Sequence, residues 1–166
     1  AQLAGVKEIF ISEPNEARRK IAQRMGADVA LNPIDDNVIE TIGDATDDGV
    51  NVSFEFAGIG PAFNAAVKST RHGGTITVGS ISKDEIMADI DSIVMAERTI
   101  KGTYCYGFPP SSFRSEFDAV IDALAKDKIE TEAFVTDRIP LERLVESGFT
   151  QLLDADTEHA KILVEP

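Results

Sequence analysis

Short apolar runs alternate with stretches of helical periodicity along most of this 166-residue chain. The first run, Glu8–Ser12, alternates in polarity and is rich in β-branched and aromatic residues, which predicts a buried strand. Asn15 is placed to cap the helix that follows, and Gly26 is placed to end it. The apolar residues that recur at helical spacing between them are Ala17, Ile21, Ala22 and Met25.

The same alternation continues as far as Tyr104. Further strands are predicted at 28–31, 52–56, 75–78 and 99–104, and helices at 35–42, after Pro61 and around Ile90. Asp35 is the expected cap of the first of these helices, and Asp44–Gly49 is the expected surface loop. Strand and helix in regular alternation predict an α/β fold with a Rossmann-type, doubly wound parallel sheet.

The composition changes at residues 107–110, GFPP, which predicts a boundary. We expect a nucleotide-binding domain over residues 1–106 and a separate C-terminal segment over residues 107–166. Within that segment the pattern predicts an amphipathic helix, a strand at Ala133–Ile139, a last helix over residues 141–152 and a terminal strand at Lys161–Val164. The apolar face of the amphipathic helix consists of Phe113, Phe117, Val120, Ile121 and Leu124.

Charge and cysteine content narrow the choice of partners. With 29 acidic against 16 basic residues the net charge is −13, which repels nucleic-acid backbones and anionic lipid. No apolar run approaches the length needed to span a membrane. The single cysteine, Cys105, cannot form an internal disulfide and suits a reducing cytoplasm. The first residues, AQLAGVKE, resemble the last turns of a helix that Gly5 ends.

Glu13 is the main candidate for ligand binding. It follows the first predicted strand, and an acidic residue at this end of a strand can hydrogen-bond the ribose hydroxyls of a nucleotide. A carboxylate there would repel a 2′-phosphate by about 4 kcal/mol at about 4 Å in an effective dielectric of about 20, which favours NAD over NADP. Arg18 and Arg19 complicate this choice, because a nearby arginine can accommodate a 2′-phosphate. The alternatives are a solvated helix face for each arginine, favoured for Arg19, and a dipole-stabilising acid for Glu13.

A second glycine motif, Gly58-x-Gly60, lies at a predicted strand-to-helix turn. It is a weak phosphate loop, since Phe63 occupies the place of the third glycine and Glu13 precedes the motif instead of following it. The acidic residue normally follows the glycine-rich loop by about 20 residues. We therefore expect the phosphate loop and the first strand of the sheet to precede residue 1.

Groups suited to catalysis are scarce. His72, His159 and Cys105 show no metal-ligand spacing and have no evident base or orienting partner, so we interpret each as structural. Glu55 lies within a strand and could be a buried acid, although a hydrogen-bonded structural role is favoured. Asp47-Asp48 is interpreted as part of a solvated loop.

Five stretches carry a family resemblance, in order and over essentially the whole chain. They are FISEPNEARRKIAQRMGAD, VSFEFAG, GGTITVGS, ERTIKGTY and LVESGFTQLLDADTEHAKILVEP. Together they resemble the medium-chain, zinc-dependent alcohol dehydrogenases, and within these the 2,3-butanediol and sorbitol dehydrogenase branch.

The resemblance implies a set of coenzyme contacts. Glu13 and Arg18 match the adenosine ribose site. The residues that match the surroundings of the nicotinamide and its ribose are Phe56, Ala57, Gly58, Val78, Gly79, Ser80, Thr103 and Tyr104. In such enzymes the strand that corresponds to Thr99–Tyr104 also pairs two subunits edge to edge, which implies a homodimer or homotetramer.

The resemblance further implies hydride transfer between a secondary alcohol or vicinal diol, such as 2,3-butanediol or a polyol, and NAD. The zinc of the parent enzyme, its ligands and the proton relay are expected to precede residue 1, so no catalytic or metal-binding residue is assigned here. We also expect residues 1–166 alone to be marginally stable or self-associating. The alternatives are a domain similar to S-adenosylmethionine-dependent methyltransferases and a nucleotide-binding module without catalysis.

Overall fold

Every strand pair in the described part of the chain is parallel, as the alternation of strands and helices predicts. A computed structural model describes residues 1–104 and 115–166. Cys105, the predicted boundary at 107–110 and Phe113 therefore lie outside the described residues. The described residues divide into two compact units, one formed by residues 1–35 and 115–166 and the other by residues 36–104.

The N-terminal part of the first unit contains a parallel strand pair joined by one helix. The elements are β1 (Phe10–Ser12), α1 (Glu16–Arg24) and β2 (Val29–Leu31), preceded by a 3-10 turn at Gln2–Ala4. The side chain of Asn15 caps α1, and Gly26 ends it at a φ of 94°. The left-handed conformation of Gly26 lets the amide of Ala27 reach the carbonyl oxygen of Ala22 at 2.9 Å. The predicted helix and both of its boundary residues are confirmed.

The C-terminal part of the first unit adds a second parallel pair. Its elements are α5 (Glu116–Ala125), α6 (Thr131–Phe134), β6 (Val135–Pro140), a 3-10 turn (Leu141–Arg143), a π-helical turn (Leu144–Phe149), α7 (Thr150–Leu153) and β7 (Lys161–Glu165). The predicted start of a strand at Ala133 is wrong. Ala133 is 1% exposed within a helical turn, and its carbonyl oxygen accepts a hydrogen bond from Arg24 at 2.9 Å. The predicted last helix is three consecutive turns of different pitch.

The second unit is a three-stranded parallel sheet in the order β3-β4-β5 with helices. Its elements are α2 (Val38–Ala45), β3 (Val50–Glu55), α3 (Gly60–Ser69), β4 (Thr70–Val78), α4 (Ile90–Val94) and β5 (Thr99–Gly102). Phe63 and Val67 of α3 pack on Ile76 of β4, and these three residues form the buried core. The prediction that Phe63 and Val67 face inward is confirmed.

Several boundaries in this unit differ from expectation, including the end of β5 at Gly102 instead of Tyr104. The cap of α2 is Asn37, whose side chain accepts from the amide of Glu40 at 3.3 Å. Asp35 is not the cap, because its amide closes a turn onto the carbonyl oxygen of Asn32 at 3.1 Å, so the helix begins later. It also continues to Ala45, so that the first part of the predicted loop is helical. Strand β4 begins at Thr70, not Thr75, since Thr70 already pairs with Val50 across an irregular register.

Both units have strand edges without a partner strand among the described residues, and both expose apolar side chains to solvent. Within the described residues, β1 pairs only with β2, and β3 pairs only with β4. On β3 and just beyond it, Val52, Phe54 and Phe56 are 47%, 59% and 67% exposed, and the two phenyl rings stack with centroids 6.4 Å apart. None of the described helices is both long enough and apolar enough to cross a membrane.

Candidate functional site

Glu13 lies at the carboxyl end of β1, where the sequence places a ribose ligand. Its amide donates to the carbonyl oxygen of Leu31 at 3.0 Å, which extends the pairing with β2 by one residue. Its Oε1 accepts from the backbone amide of Asn15 at 2.9 Å. Within the described residues Oε2 accepts no hydrogen bond, so one carboxylate oxygen is oriented by the protein and the other is available to a ligand.

The two arginines of the first turns of α1 differ in their contacts. The side chain of Arg19 donates through Nη1 to the carbonyl oxygens of Glu13 and Pro14, at 2.8 and 2.6 Å. The interpretation of Arg19 as a solvated residue is therefore wrong, because it fixes the turn that carries Glu13. Arg18 is half-buried, and its guanidinium forms no hydrogen bond or ion pair with any residue the structure describes.

A cleft of about 1120 Å³ runs along α1 within the first unit. Its lining includes Glu13 and Arg18 and, from the C-terminal part of the chain, Ala155, Asp156 and Glu158. Lys20 and Glu16 form an ion pair of 2.6 Å in its lining, and the hydrogen bond and charge of Lys20 hold the pKa of Glu16 below its ordinary value. Glu13 therefore lies in the lining of a concave surface.

The carboxyl edge of the sheet in the second unit is organised by Glu55. The side chain is 3% exposed, and its Oε1 accepts from the amides of Ala57 and Gly58, each at 2.8 Å. Ser80 donates its hydroxyl hydrogen to Oε2. Glu55 is thus a buried, hydrogen-bonded carboxylate with a structural role, the favoured alternative. Because it uses the amides of Ala57 and Gly58, they cannot bind a phosphate, which agrees with the weak rating of Gly58-x-Gly60.

Parallel register brings the predicted nicotinamide-side residues of three strands to this one edge. Glu55 pairs with Val78, and Val78 pairs with Gly102. The next residues continue this alignment: the amide of Gly79 donates to the Glu55 carbonyl oxygen, and that of Thr103 to the Val78 carbonyl oxygen, both at 2.9 Å. The structure therefore places Phe56–Gly58, Val78–Ser80 and Thr103 side by side.

Two glycines allow the close approach of these turns. The ring of Phe56 lies against Gly79, where any Cβ would collide with ring carbons. Gly58 has a φ of 70°, and a Cβ there would lie 3.2 Å from the carbonyl oxygen of Ile81. Tyr104 follows β5 and is 76% exposed.

Histidine is not part of either site. Nε2 of His72 lies 3.5 Å from the exposed carboxylate of Glu97, and Nδ1 of His159 lies 3.3 Å from Oγ1 of Thr136. Across residues 1–104 and 115–166, no group of three or more histidine, cysteine, aspartate or glutamate side chains could hold a metal ion. The side chains described here therefore do not fit a zinc centre.

Sequence reasoning missed two organising contacts. One is the bond from Ser80 to Glu55, and the other joins Asn15 to the carbonyl oxygens of Ala155 and Thr157, both at 2.9 Å. The capping signal of Asn15 is local, whereas its second set of partners lies 140 and 142 positions away.

Known proteins resemble the chain over almost its full length. The (R,R)-butanediol dehydrogenases of Bacillus subtilis and Neisseria gonorrhoeae are 31% and 29% identical to it, each over 98% of this chain but only 45% and 44% of their own length. The crystal structure of the Bacillus subtilis 2R,3R-butanediol dehydrogenase superposes with a TM-score of 0.84 at 30% identity, over 99% of this chain and 45% of that one. The sequence profile of the zinc-binding dehydrogenases matches residues 1–126, and the chain therefore belongs to the zinc-binding dehydrogenase family.

Proposed function

We propose that this chain is the coenzyme-binding portion of an oxidoreductase that transfers a hydride between a secondary alcohol or vicinal diol and NAD. The observation that carries the proposal is the carboxylate of Glu13, which lines a cleft and has one oxygen fixed by the amide of Asn15. Family membership and the names of the butanediol dehydrogenases support the reaction class. The chain spans less than half of those relatives.

In this proposal Glu13 accepts hydrogen bonds from the adenosine ribose hydroxyls. Since Oε1 already binds an amide, Oε2 is the principal acceptor. A 2′-phosphate would meet the same carboxylate with like-charge repulsion, which favours NAD over NADP. Arg18 lines the same cleft and would contact the adenosine side of the coenzyme.

The turn residues at the carboxyl edge of the second sheet would form the nicotinamide side. They are Phe56, Ala57, Gly58, Val78, Gly79, Ser80, Thr103 and Tyr104. Glu55 would act only by positioning them, because its carboxylate is buried and both of its oxygens accept hydrogen bonds from the protein. These residues would orient the ring and exclude water from one of its faces.

The zinc of the parent enzyme would be bound by residues other than the described ones, none of which form a metal-ligand group. Bound zinc supplies Lewis-acid polarisation of the alcohol oxygen and lowers its pKa. The family profile disfavours the methyltransferase alternative.

We place the parent enzyme in the cytoplasm as a homodimer or homotetramer. A single cysteine in the sequence supports a reducing compartment. The exposure of all four residues of β5 supports pairing of subunits at that edge.

Calorimetric titration with NAD and with NADP tests the ribose assignment. We expect wild-type chain to bind NAD more tightly than NADP, and Glu13→Gln to weaken NAD binding by about tenfold through loss of charge-assisted hydrogen bonds. Glu40→Gln is the matched control, since Glu40 is an acid in the first turn of α2 and does not line the cleft. Equal losses in both variants would mean that the loss reflects the removed charge and not a ribose contact, and the proposal would fail.

A further inference from the structure

Both polar atoms of the Asn15 side chain form hydrogen bonds, the oxygen with α1 and the nitrogen with a distant loop. Its Oδ1 accepts from the amide of Arg18 at 3.0 Å, which caps α1. Its Nδ2 donates to the carbonyl oxygens of Ala155 and Thr157, both at 2.9 Å. Its backbone amide donates to Oε1 of Glu13. One residue thus joins the start of a helix, the proposed ribose ligand and a distant loop.

That loop, residues 154–158 between α7 and β7, is folded by its own hydrogen bonds. The amide of Thr157 donates to the Asp154 carbonyl oxygen at 3.2 Å, and the amide of Asp156 to the Asp154 carboxylate at 3.0 Å. The side chain of Thr157 is 5% exposed, and its Oγ1 accepts from the amide of His159. Because these bonds hold the loop together, its two bonds to Asn15 position it as a unit.

The loop supplies negative charge to the cleft. Asp156 and Glu158 line it, and neither forms an ion pair with any residue the structure describes. Three cations of the lining also have protein partners: Arg24 donates to the Ala133 carbonyl oxygen, Lys20 pairs with Glu16, and Arg19 binds the turn before α1. The two loop carboxylates add to the negative charge of Glu13 in the same lining, where the cation of Arg18, unpaired among the described residues, opposes them.

We propose that Asn15 is a positioning residue that docks loop 154–158 beside Glu13, so that the loop forms one wall of the ribose cleft. In that position the carboxylates of Asp156 and Glu158 disfavour a ligand with a 2′-phosphate. The inference rests on the proposed function, because it assigns a second wall to the same nucleotide site.

The test compares ADP-ribose with its 2′-phosphorylated form by calorimetry, with hydrogen exchange of residues 154–160 as a second readout. Asn15→Ser retains a capping oxygen for α1 but is too short to bond the loop. We expect it to weaken ADP-ribose binding about tenfold and to accelerate exchange in the loop. Asn37→Ser is the matched control, since Asn37 caps α2 through the same kind of bond and does not line the cleft.

A double variant, Asp156→Asn with Glu158→Gln, separates charge from position. It leaves the bonds of Asn15 to the loop carbonyls in place, so loop exchange should be unchanged. The preference for unphosphorylated ADP-ribose should fall about fivefold, as expected for two unit charges in a partly solvated cleft.

Each outcome bears on a different claim. Unchanged loop exchange in Asn15→Ser, or faster exchange with unchanged binding, would overturn the role of Asn15 while leaving Glu13 as the ribose ligand. An unchanged preference in the double variant would overturn the role of the two carboxylates. If wild-type chain bound neither probe, the proposed function would fail, and the inference with it.

Discussion

Ser80 donates its hydroxyl hydrogen to the buried carboxylate of Glu55, and so joins the turns that follow β4 and β3. The same carboxylate holds the amides of Ala57 and Gly58 through its other oxygen. A buried carboxylate is tolerated only when hydrogen bonds compensate for the loss of water. The contact therefore positions the proposed nicotinamide edge and stabilises the second unit.

Ser80→Ala removes one of the three donors to Glu55. We expect a loss of about 1–3 kcal/mol in the free energy of unfolding, because a buried charged acceptor is left less satisfied. Urea denaturation measures this change. Ser69→Ala is the control: the Ser69 hydroxyl is also buried but has no hydrogen-bond partner within the described residues. That variant should be neutral or slightly stabilising, and equal losses in both would contradict the assigned role of Ser80.

Gly79→Ala would force a methyl group into the ring of Phe56. We expect destabilisation of about 1–3 kcal/mol from overpacking, measured by thermal unfolding. Adding Phe56→Ala should recover part of the loss, since it removes the colliding ring. Gly43→Ala is the control, since no atom beyond its chain neighbours and the backbone of its own helix, α2, lies within 4 Å of the new methyl group. It should stabilise by about 0.5–1 kcal/mol.

Asp89 gives the second unit an acid-sensitive contact. Hydrogen bonds from the Ser92 side chain, then from Lys68 and from the Ser92 amide, lower the pKa of Asp89 to about 2. Because the folded-state pKa is lower than in the unfolded chain, this contribution is complete above about pH 4 and is lost as the pH falls towards 2. NMR titration of the Asp89 carboxyl carbon should show the low midpoint.

Lys68→Met provides the matched variant for this titration. It removes one cause, an ion pair of 3.1 Å, and should move the Asp89 midpoint upward while the bonds to Ser92 remain. A midpoint that does not move would show that Lys68 has no effect on Asp89.

The exposed rings beside β3 predict self-association of the 166-residue chain. One edge of β3 has no partner strand among the described residues, and together with the exposed side chains of Val52, Phe54 and Phe56 it offers an apolar surface for pairing. Sedimentation velocity should show association that increases with concentration and decreases in Phe54→Lys. Met87→Lys, at an 89% exposed position outside β3, should leave it unchanged. A monodisperse monomer with cooperative unfolding would contradict this expectation.

Local signals were sufficient for some elements of the fold. Asn15 caps α1 and Gly26 ends it, as predicted, because a side-chain cap and a glycine in the left-handed conformation depend only on neighbouring residues. The start of β6 could not be predicted in this way. Ala133 remains in a helical turn and accepts a hydrogen bond from Arg24, which lies 109 positions away. The choice of Asn37 over Asp35 as a cap likewise depended on a turn at Asn32.

For the candidate site, too, local signals could be read from the sequence and long-range contacts could not. The carboxyl end of a strand can be predicted from apolar periodicity, which located Glu13, whereas the turns after β3 and β4 were assigned to the site through the family resemblance. The partners that orient them could not be found, because Ser80 is 25 positions from Glu55 and Ala155 is 140 positions from Asn15. Such contacts follow from tertiary packing, which has no signature in a local pattern.

The most direct measurement for the coenzyme assignment is NMR chemical-shift mapping of this 17.9 kDa chain during titration with NAD. We expect amide shifts at residues 13–19 and at the turns 56–58, 78–80 and 103–104. Titration with AMP should shift only the first group, since Glu13 is assigned to the adenosine ribose. Shifts confined to other surfaces, or none at saturating NAD, would contradict a coenzyme site built on Glu13.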